Sequence, residues 1–177
     1  ILPLGLLVMT MINSSLLRSP SVASAPSLPT PLSSDSVSQS VGVLVPLRNE
    51  ADNVKDLIST LSEQIGEFHF YLLDDNSEDR TFDLLNQYTA GDSRFTIIKG
   101  SPLAQGWIGK TWALQQLFTQ SKEELLVSID ADVRLTYDAI ARSIATLQST
   151  SLDFISPYPR QIALTIGERM IQPLLQW

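Results

Sequence analysis

The chain contains no cysteine, which removes disulfides, thiolate metal sites and cysteine nucleophiles from consideration. That absence fits a reducing compartment. Basic charge is also scarce: 12 Lys and Arg stand against 19 Asp and Glu, a net charge of −7. Non-specific binding to nucleic acid or to anionic lipid needs a basic face, so nucleic acid is not expected as a partner. A phosphorylated ligand remains open, because one metal ion reverses the local potential of an acidic site. No G-x-G-x-x-G follows the first apolar strand segment, which disfavours a dinucleotide dehydrogenase, and no G-x-S-x-G nucleophile elbow occurs. The lone histidine, His69, lies between Phe68 and Phe70, far from the carboxyl end of its segment, and reads as structural.

What is present suffices for one domain: 177 residues, 44% of them apolar, carry one sizeable core and not two. Residues 1–17 form an apolar run interrupted by Thr10, Asn13, Ser14 and Ser15. A spanning helix needs about 20 apolar residues, so the run reads as a partial transmembrane helix whose start is missing. A cleaved signal peptide is the alternative; the lack of a basic n-region favours the anchor. Arg18, just past the run, points to a cytoplasmic exit. The expectation is a single- or multi-pass membrane protein with a cytoplasmic catalytic domain. Residues 18–40, which include nine serines and four prolines, bury too little surface to offset ordering and read as a flexible tether.

From Val41 onward apolar strands alternate with amphipathic helices. Val41, Val43, Leu44 and Val45 make a strand that Pro46 ends, and Ala51, Val54, Leu57, Ile58, Leu61 and Ile65 repeat at helical spacing with Asn49 placed to cap them. Strands follow at 68–73, 95–98 and 125–129, with helices at 81–88, 110–118 and 137–147. Continuous apolar runs separated by helical crossovers indicate an α/β fold with a parallel sheet covered on both faces. Phe154 and Ile155 suggest a fifth strand stopped by Pro157, and 162–177 a helix interrupted near Pro173.

In open parallel sheets, ligands bind outside the carboxyl ends of the strands, and two of these strands end in acids. Leu73 runs into Asp74-Asp75-Asn76-Ser77, and Ile129 into Asp130-Ala131-Asp132. If the backbone stays extended, Asp130 and Asp132 face the same side and suit Mg2+ or Mn2+ shared with water and phosphate oxygens. They also suit ordinary turns and caps. Asp75 fits either a helix-capping box with Glu78 or acceptance of the imide N–H of uracil. Six acids against one arginine between Glu67 and Asp83 make the nucleobase a better partner there than the phosphates. Gly106-Trp107-Ile108-Gly109-Lys110 precedes a helix and brings Lys110 to its N-terminus, where phosphate is favoured. The spacing is not that of a P-loop, and Trp107 and Trp112 also suit plain packing.

In this order, Val43 to Glu50, Leu73 to Thr81, Gly109 to Leu114 and Asp130 to Asp132 resemble glycosyltransferase family 2, the inverting enzymes of GT-A fold. The resemblance covers residues 41–177 and implies an incomplete donor-binding domain. It further implies that Pro46, Arg48, Asn49, Glu50 and Asp75 line a uridine pocket and that Lys110 lies in the donor region. Asp132 would be the principal metal ligand, with Asp130 beside it. The implied reaction transfers a hexose from a UDP-sugar, with Mg2+ or Mn2+ as cofactor. The 106–110 segment, with Tyr158-Pro159-Arg160-Gln161 and Gly167-Glu168-Arg169, is similar to membrane-anchored transferases of hopanoid and carotenoid glycosylation, implying a lipid, carotenoid or hopanoid-like acceptor. A sugar-1-phosphate nucleotidyltransferase and a non-catalytic nucleotide-sugar sensor are the alternatives. The family's catalytic base follows the metal motif, and no strong match occurs before Trp177, so the base is expected beyond it. Residues 1–177 are therefore expected to bind donor yet transfer sugar poorly, and a transfer assay running at a normal enzymatic rate would overturn this.

Overall fold

A strand is apolar along its whole length only when both faces are covered, and Val41–Leu47 (β1) and Phe68–Asp74 (β2) are buried in this way at nearly every position. The computed structural model describes residues 40–150 and 152–157. After β1 come α1 (Ala51–Ser62), β2, α2 (Thr81–Tyr88), β3 (Phe95–Lys99), α3 (Gly109–Gln120), β4 (Leu125–Ser128) and α4 (Ala139–Thr150). The strands pair in parallel in the order β3-β2-β1-β4. Val41 stands opposite both Phe68 and Leu125, so β1, β2 and β4 start level; β1 and β2 end together at Leu47 and Asp74, while β4 stops at Ser128, opposite Leu44. This is the α/β architecture that the alternation of elements predicts.

The two faces are covered unequally. Val43, Val45 and Leu47 from β1 and Phe70 and Leu72 from β2 pack with Val54, Leu57, Ile58 and Leu61 of α1, Leu85 of α2 and Ile140 of α4. On the other face Leu44, Tyr71 and Leu73 meet Ala113 and Leu117 of α3. The described residues 40–144 belong to one compact unit. The described residues from 145 onward belong to another, in which α4 finishes and the Leu152 amide donates to the Leu147 carbonyl at 3.3 Å.

Several boundaries differ from the sequence expectation. The first helix stops at Ser62, short of Ile65, whose amide instead donates to the Tyr137 carbonyl (2.9 Å). Gly66 then takes φ +130 to turn the chain into β2, a conformation only glycine adopts readily. The last helix begins at Ala139 and leaves Tyr137 exposed. Phe154 and Ile155 form no strand, and the helix expected at 162–177 lies outside the described residues.

The expected membrane topology is corrected. Among the described residues no helix is long and apolar enough to cross a membrane; α1, α3 and α4 have 12 residues each, where a span needs about 20. The expectation rested on residues 1–17, which lie outside the described residues.

The larger core holds most of the buried apolar side chains. Leu57→Ala, at a site with no exposure, is expected to cost about 2–5 kcal/mol, measured by urea denaturation. Phe118→Ser, at an exposed position of α3, is expected to change stability by about 0.5 kcal/mol or less.

Candidate functional site

Between β1 and β4 the strand order reverses, and in open α/β sheets such a point leaves a crevice at the carboxyl ends. A cavity of about 340 Å³ opens there, lined by Pro46, Arg48, Glu50, Asp75, Lys110, Asp130 and Asp132 together with Leu47, Gly109, Ala113 and Ala131. Residues as far apart in the chain as Pro46 and Asp132 thus converge on one volume.

Asn49 stands apart from this group, because it does not line the cavity. It also does not cap α1, whose first turn receives no side-chain bond from its own N-cap residue. Asn49 adopts φ +55, and its Oδ1 accepts the Glu78 amide at 2.8 Å while its own amide donates to Ser77 Oγ at 2.9 Å. The start of α1 is capped from the neighbouring loop: Thr81 Oγ1 accepts the Glu50 amide (2.8 Å) and Asp79 Oδ2 the Ala51 amide (3.1 Å). Asp79 also accepts from the Thr81 amide and hydroxyl. The reciprocal box between Asp75 and Glu78 is absent, because α2 starts only at Thr81. A clasp therefore joins the loop after β1 to the loop after β2, and it fixes Arg48 and Glu50 relative to Asp75.

Of the two acids after Leu73, only Asp75 reaches the cavity. Neighbouring residues leave a strand on opposite sides, and Asp74 is turned away and 2% exposed. The start of α3 lies close to Asp75: a Cβ built on Gly109 would sit 3.7 Å from Asp75 Oδ2. Lys110 follows on the first turn, where helix amides favour anions.

Asp130 and Asp132 face the cavity by a different geometry from the extended one expected. β4 ends at Ser128, and the Val133 amide donates to the Asp130 carbonyl (3.1 Å), so a turn gathers both carboxylates while Ala131 is buried. Arg134 braces the turn, donating to the Ala131 carbonyl (2.9 Å) and to Asn53 Oδ1 (2.7 Å). Asn53 in turn donates to Glu50 Oε2 (2.7 Å). Arg134, Asn53, Asp79 and Thr81 carry positioning that sequence reasoning missed. Asn53, three residues after Glu50 on one helix face, had a readable signal; the others bridge distant segments and had none.

The cavity wall holds four carboxylates, Glu50, Asp75, Asp130 and Asp132, against two cations, Arg48 and Lys110. Lys110 Nζ lies 2.7 Å from Asp130 Oδ1, with both side chains more than half exposed. An exposed pair of this kind contributes about 0–1 kcal/mol. Among the described residues no group of three or more His, Asp or Glu side chains could hold a metal. Two carboxylates at one turn offer hard oxygen donors suited to Mg2+ or Mn2+ only when phosphate and water complete the shell. His69 lies elsewhere, its Nε2 2.7 Å from Thr96 Oγ1 across the sheet. Trp107 and Trp112 pack ring to ring at 5.3 Å, and Trp112 Nε1 donates to the carbonyls of Ser101 and Pro102.

The glycosyl transferase family 2 profile matches residues 42–172. The chain belongs to glycosyl transferase family 2. This family-2 chain is 32% identical over 124 residues to a 4,4'-diaponeurosporenoate glycosyltransferase of Staphylococcus haemolyticus, covering 68% of this chain and 32% of that protein. It is 26% identical over 111 residues to a beta-monoglucosyldiacylglycerol synthase of Trichormus variabilis, covering 61% of this chain and 23% of the relative. The chain thus spans less than a third of the length of these curated relatives. Among solved structures it resembles the mannosyltransferase PcManGT of Pyrobaculum calidifontis in complex with GDP-Man and Mn2+, with a TM-score of 0.54, 22% identity, and coverage of 60% of this chain and 32% of that one. It also resembles S. aureus TarS 1-349 in complex with UDP, with a TM-score of 0.55, 19% identity, and coverage of 70% and 38%. Identities this low show the fold alone. Family membership sets aside the nucleotidyltransferase alternative.

The clasp has a pH signature. Hydrogen bonding from the Thr81 hydroxyl, and then from the Thr81 and Ala51 amides, holds the Asp79 carboxyl below its ordinary 3.8. A depressed carboxyl stabilises the fold fully above the ordinary value, and that contribution disappears as pH falls through the lowered one. Hydrogen exchange is expected to show the Ala51 and Thr81 amides protected at pH 5 and opening below the carboxylate range. Asp79→Ala is expected to speed their exchange by roughly tenfold at pH 5.

Proposed function

We propose that residues 41–177 are the donor-binding domain of a transferase that passes a hexose from a UDP-sugar, with inversion, to an apolar acceptor of the carotenoid or glycerolipid kind. The observation that carries this reading is the cavity at the strand-order reversal, where Asp75, Lys110, Asp130 and Asp132 converge. Four carboxylates against two cations repel a diphosphate, and a divalent cation at the Asp130–Asp132 turn removes that repulsion. When bound, the metal supplies Lewis-acid stabilisation of the departing diphosphate.

The chain's own residues supply the rest. Asp75, nearly buried, accepts the imide N–H of uracil, and Lys110 with the first amides of α3 meets the phosphates. Pro46, Arg48 and Glu50 form the remaining wall of the nucleoside end. The acceptor class is supported by the relatives' names, one carrying diaponeurosporenoate and the other a glucosylated diacylglycerol. The donor base is supported by Asp75 and by the UDP bound to TarS. A carboxylate also suits the guanine edge, so GDP is the informative comparison.

Calorimetry tests the donor site. UDP is expected to bind more tightly with Mn2+ than without it and more tightly than GDP. Asp132→Ala is expected to abolish the metal dependence and weaken binding by about tenfold or more. Asp75→Ala is expected to weaken UDP while keeping the response to Mn2+. Undiminished UDP affinity in Asp132→Ala would remove the metal-site assignment.

A further inference from the structure

We infer that Lys110 is the cation that Asp130 holds in the absence of nucleotide, and that its transfer to the diphosphate couples metal loading to donor arrival. The inference rests on the donor-site reading above and adds a rule for how that site fills. Lys110 Nζ sits on Asp130 Oδ1 at 2.7 Å, and both residues line the same cavity. The ammonium thus occupies one carboxylate oxygen of the turn that a metal would use.

Three features make this pair an exchange point. First, both side chains are more than half exposed, so the pair is weak and separates easily. Secondly, Asp130 and Asp132 are the only carboxylates of the turn, and no three-residue metal cluster occurs among the described residues. A metal arriving alone therefore gains few ligands while displacing an ammonium and standing close to its charge. Thirdly, Lys110 lies on the first turn of α3, where helix amides already favour an anion. A diphosphate gives the ammonium a second partner there and gives the metal its missing oxygens. Both cations then have anions to bind, and neither competes for Asp130.

The consequence is a pair of effects with opposite signs. Lys110→Met frees Asp130 and lowers the positive charge of the cavity, so Mn2+ alone binds more tightly, by about three- to tenfold. The same variant loses a charge-assisted contact to phosphate, so UDP in the presence of Mn2+ binds more weakly, by about tenfold. A lysine that merely braces the loop would weaken both or neither. Lys110→Arg keeps the charge, and is expected to leave Mn2+ affinity near the wild-type value.

The experiment measures free Mn2+ by its paramagnetic resonance signal in titrations of the full 177-residue chain without nucleotide, and UDP binding by calorimetry at saturating Mn2+. Circular dichroism melting checks the fold of each variant. Tighter Mn2+ with weaker UDP in Lys110→Met, and unchanged Mn2+ affinity in Lys110→Arg, supports the exchange. Equal or weaker Mn2+ binding by folded Lys110→Met overturns it even when wild-type UDP binding depends on metal. Absence of metal-dependent UDP binding in the wild type removes the donor-site reading, and the exchange with it.

Discussion

The pairing of β1 with β2 on one side and β4 on the other is the constraint on which the rest of the structure depends. Val43, Val45 and Leu47 fill one face of this central strand and Leu44 the other, so its position is over-determined by packing. Because the chain builds outward through β2 and β3 before returning to place β4 on the opposite edge of β1, the loops after β1 and β4 lead away to different helices. The crevice between them follows from strand order. Asp130 and Asp132 reach it because β4, at four residues, ends early and turns.

That same constraint explains what the sequence could and could not disclose. The strands and their approximate limits were legible because burial on both faces leaves unbroken apolar runs, as in 43–45 and 70–73. Asp75, Asp130 and Asp132 were legible from their place at strand ends and Lys110 from its place at a helix N-terminus, whereas Pro46, Arg48, Asn49 and Glu50 were expected from the family resemblance alone; all of these but Asn49 line one volume. Asn49 failed for a local reason. A residue before an amphipathic helix resembles a cap in one dimension, but its positive φ turns the side chain toward the β2–α2 loop. Its actual partner, the Glu78 amide, is 29 residues away, and no local rule of spacing reaches that far.

The apolar run at 1–17 marks a different limit of sequence reasoning. Its hydropathy pointed to a span, while every described helix is amphipathic or short and serves the sheet. Apolar length predicts membrane crossing only for the segment that carries it and says nothing about helices whose apolar faces are already used. In α1, for example, Val54, Leu57, Ile58 and Leu61 are all consumed by packing on the sheet.

The site is assembled by two sets of polar contacts that act at different depths. The clasp through Asn49, Ser77, Asp79 and Thr81 joins backbone groups of two loops, and the Glu50–Asn53–Arg134 chain ties the first helix to the aspartate turn. Both use bonds to main-chain groups, which hold geometry without depending on a ligand. The Lys110–Asp130 contact is of another kind: an exposed ion pair between two residues of the cavity wall. Among the described residues each side chain of the pair is bonded to the other alone, and an exposed pair of this kind exchanges at little cost when stronger counter-ions arrive. A scaffold fixed by these hydrogen bonds, with one exchangeable ion pair on the cavity wall, keeps the carboxylates in place while leaving the local charge free to change. An acidic cavity needs that freedom to receive an anionic ligand.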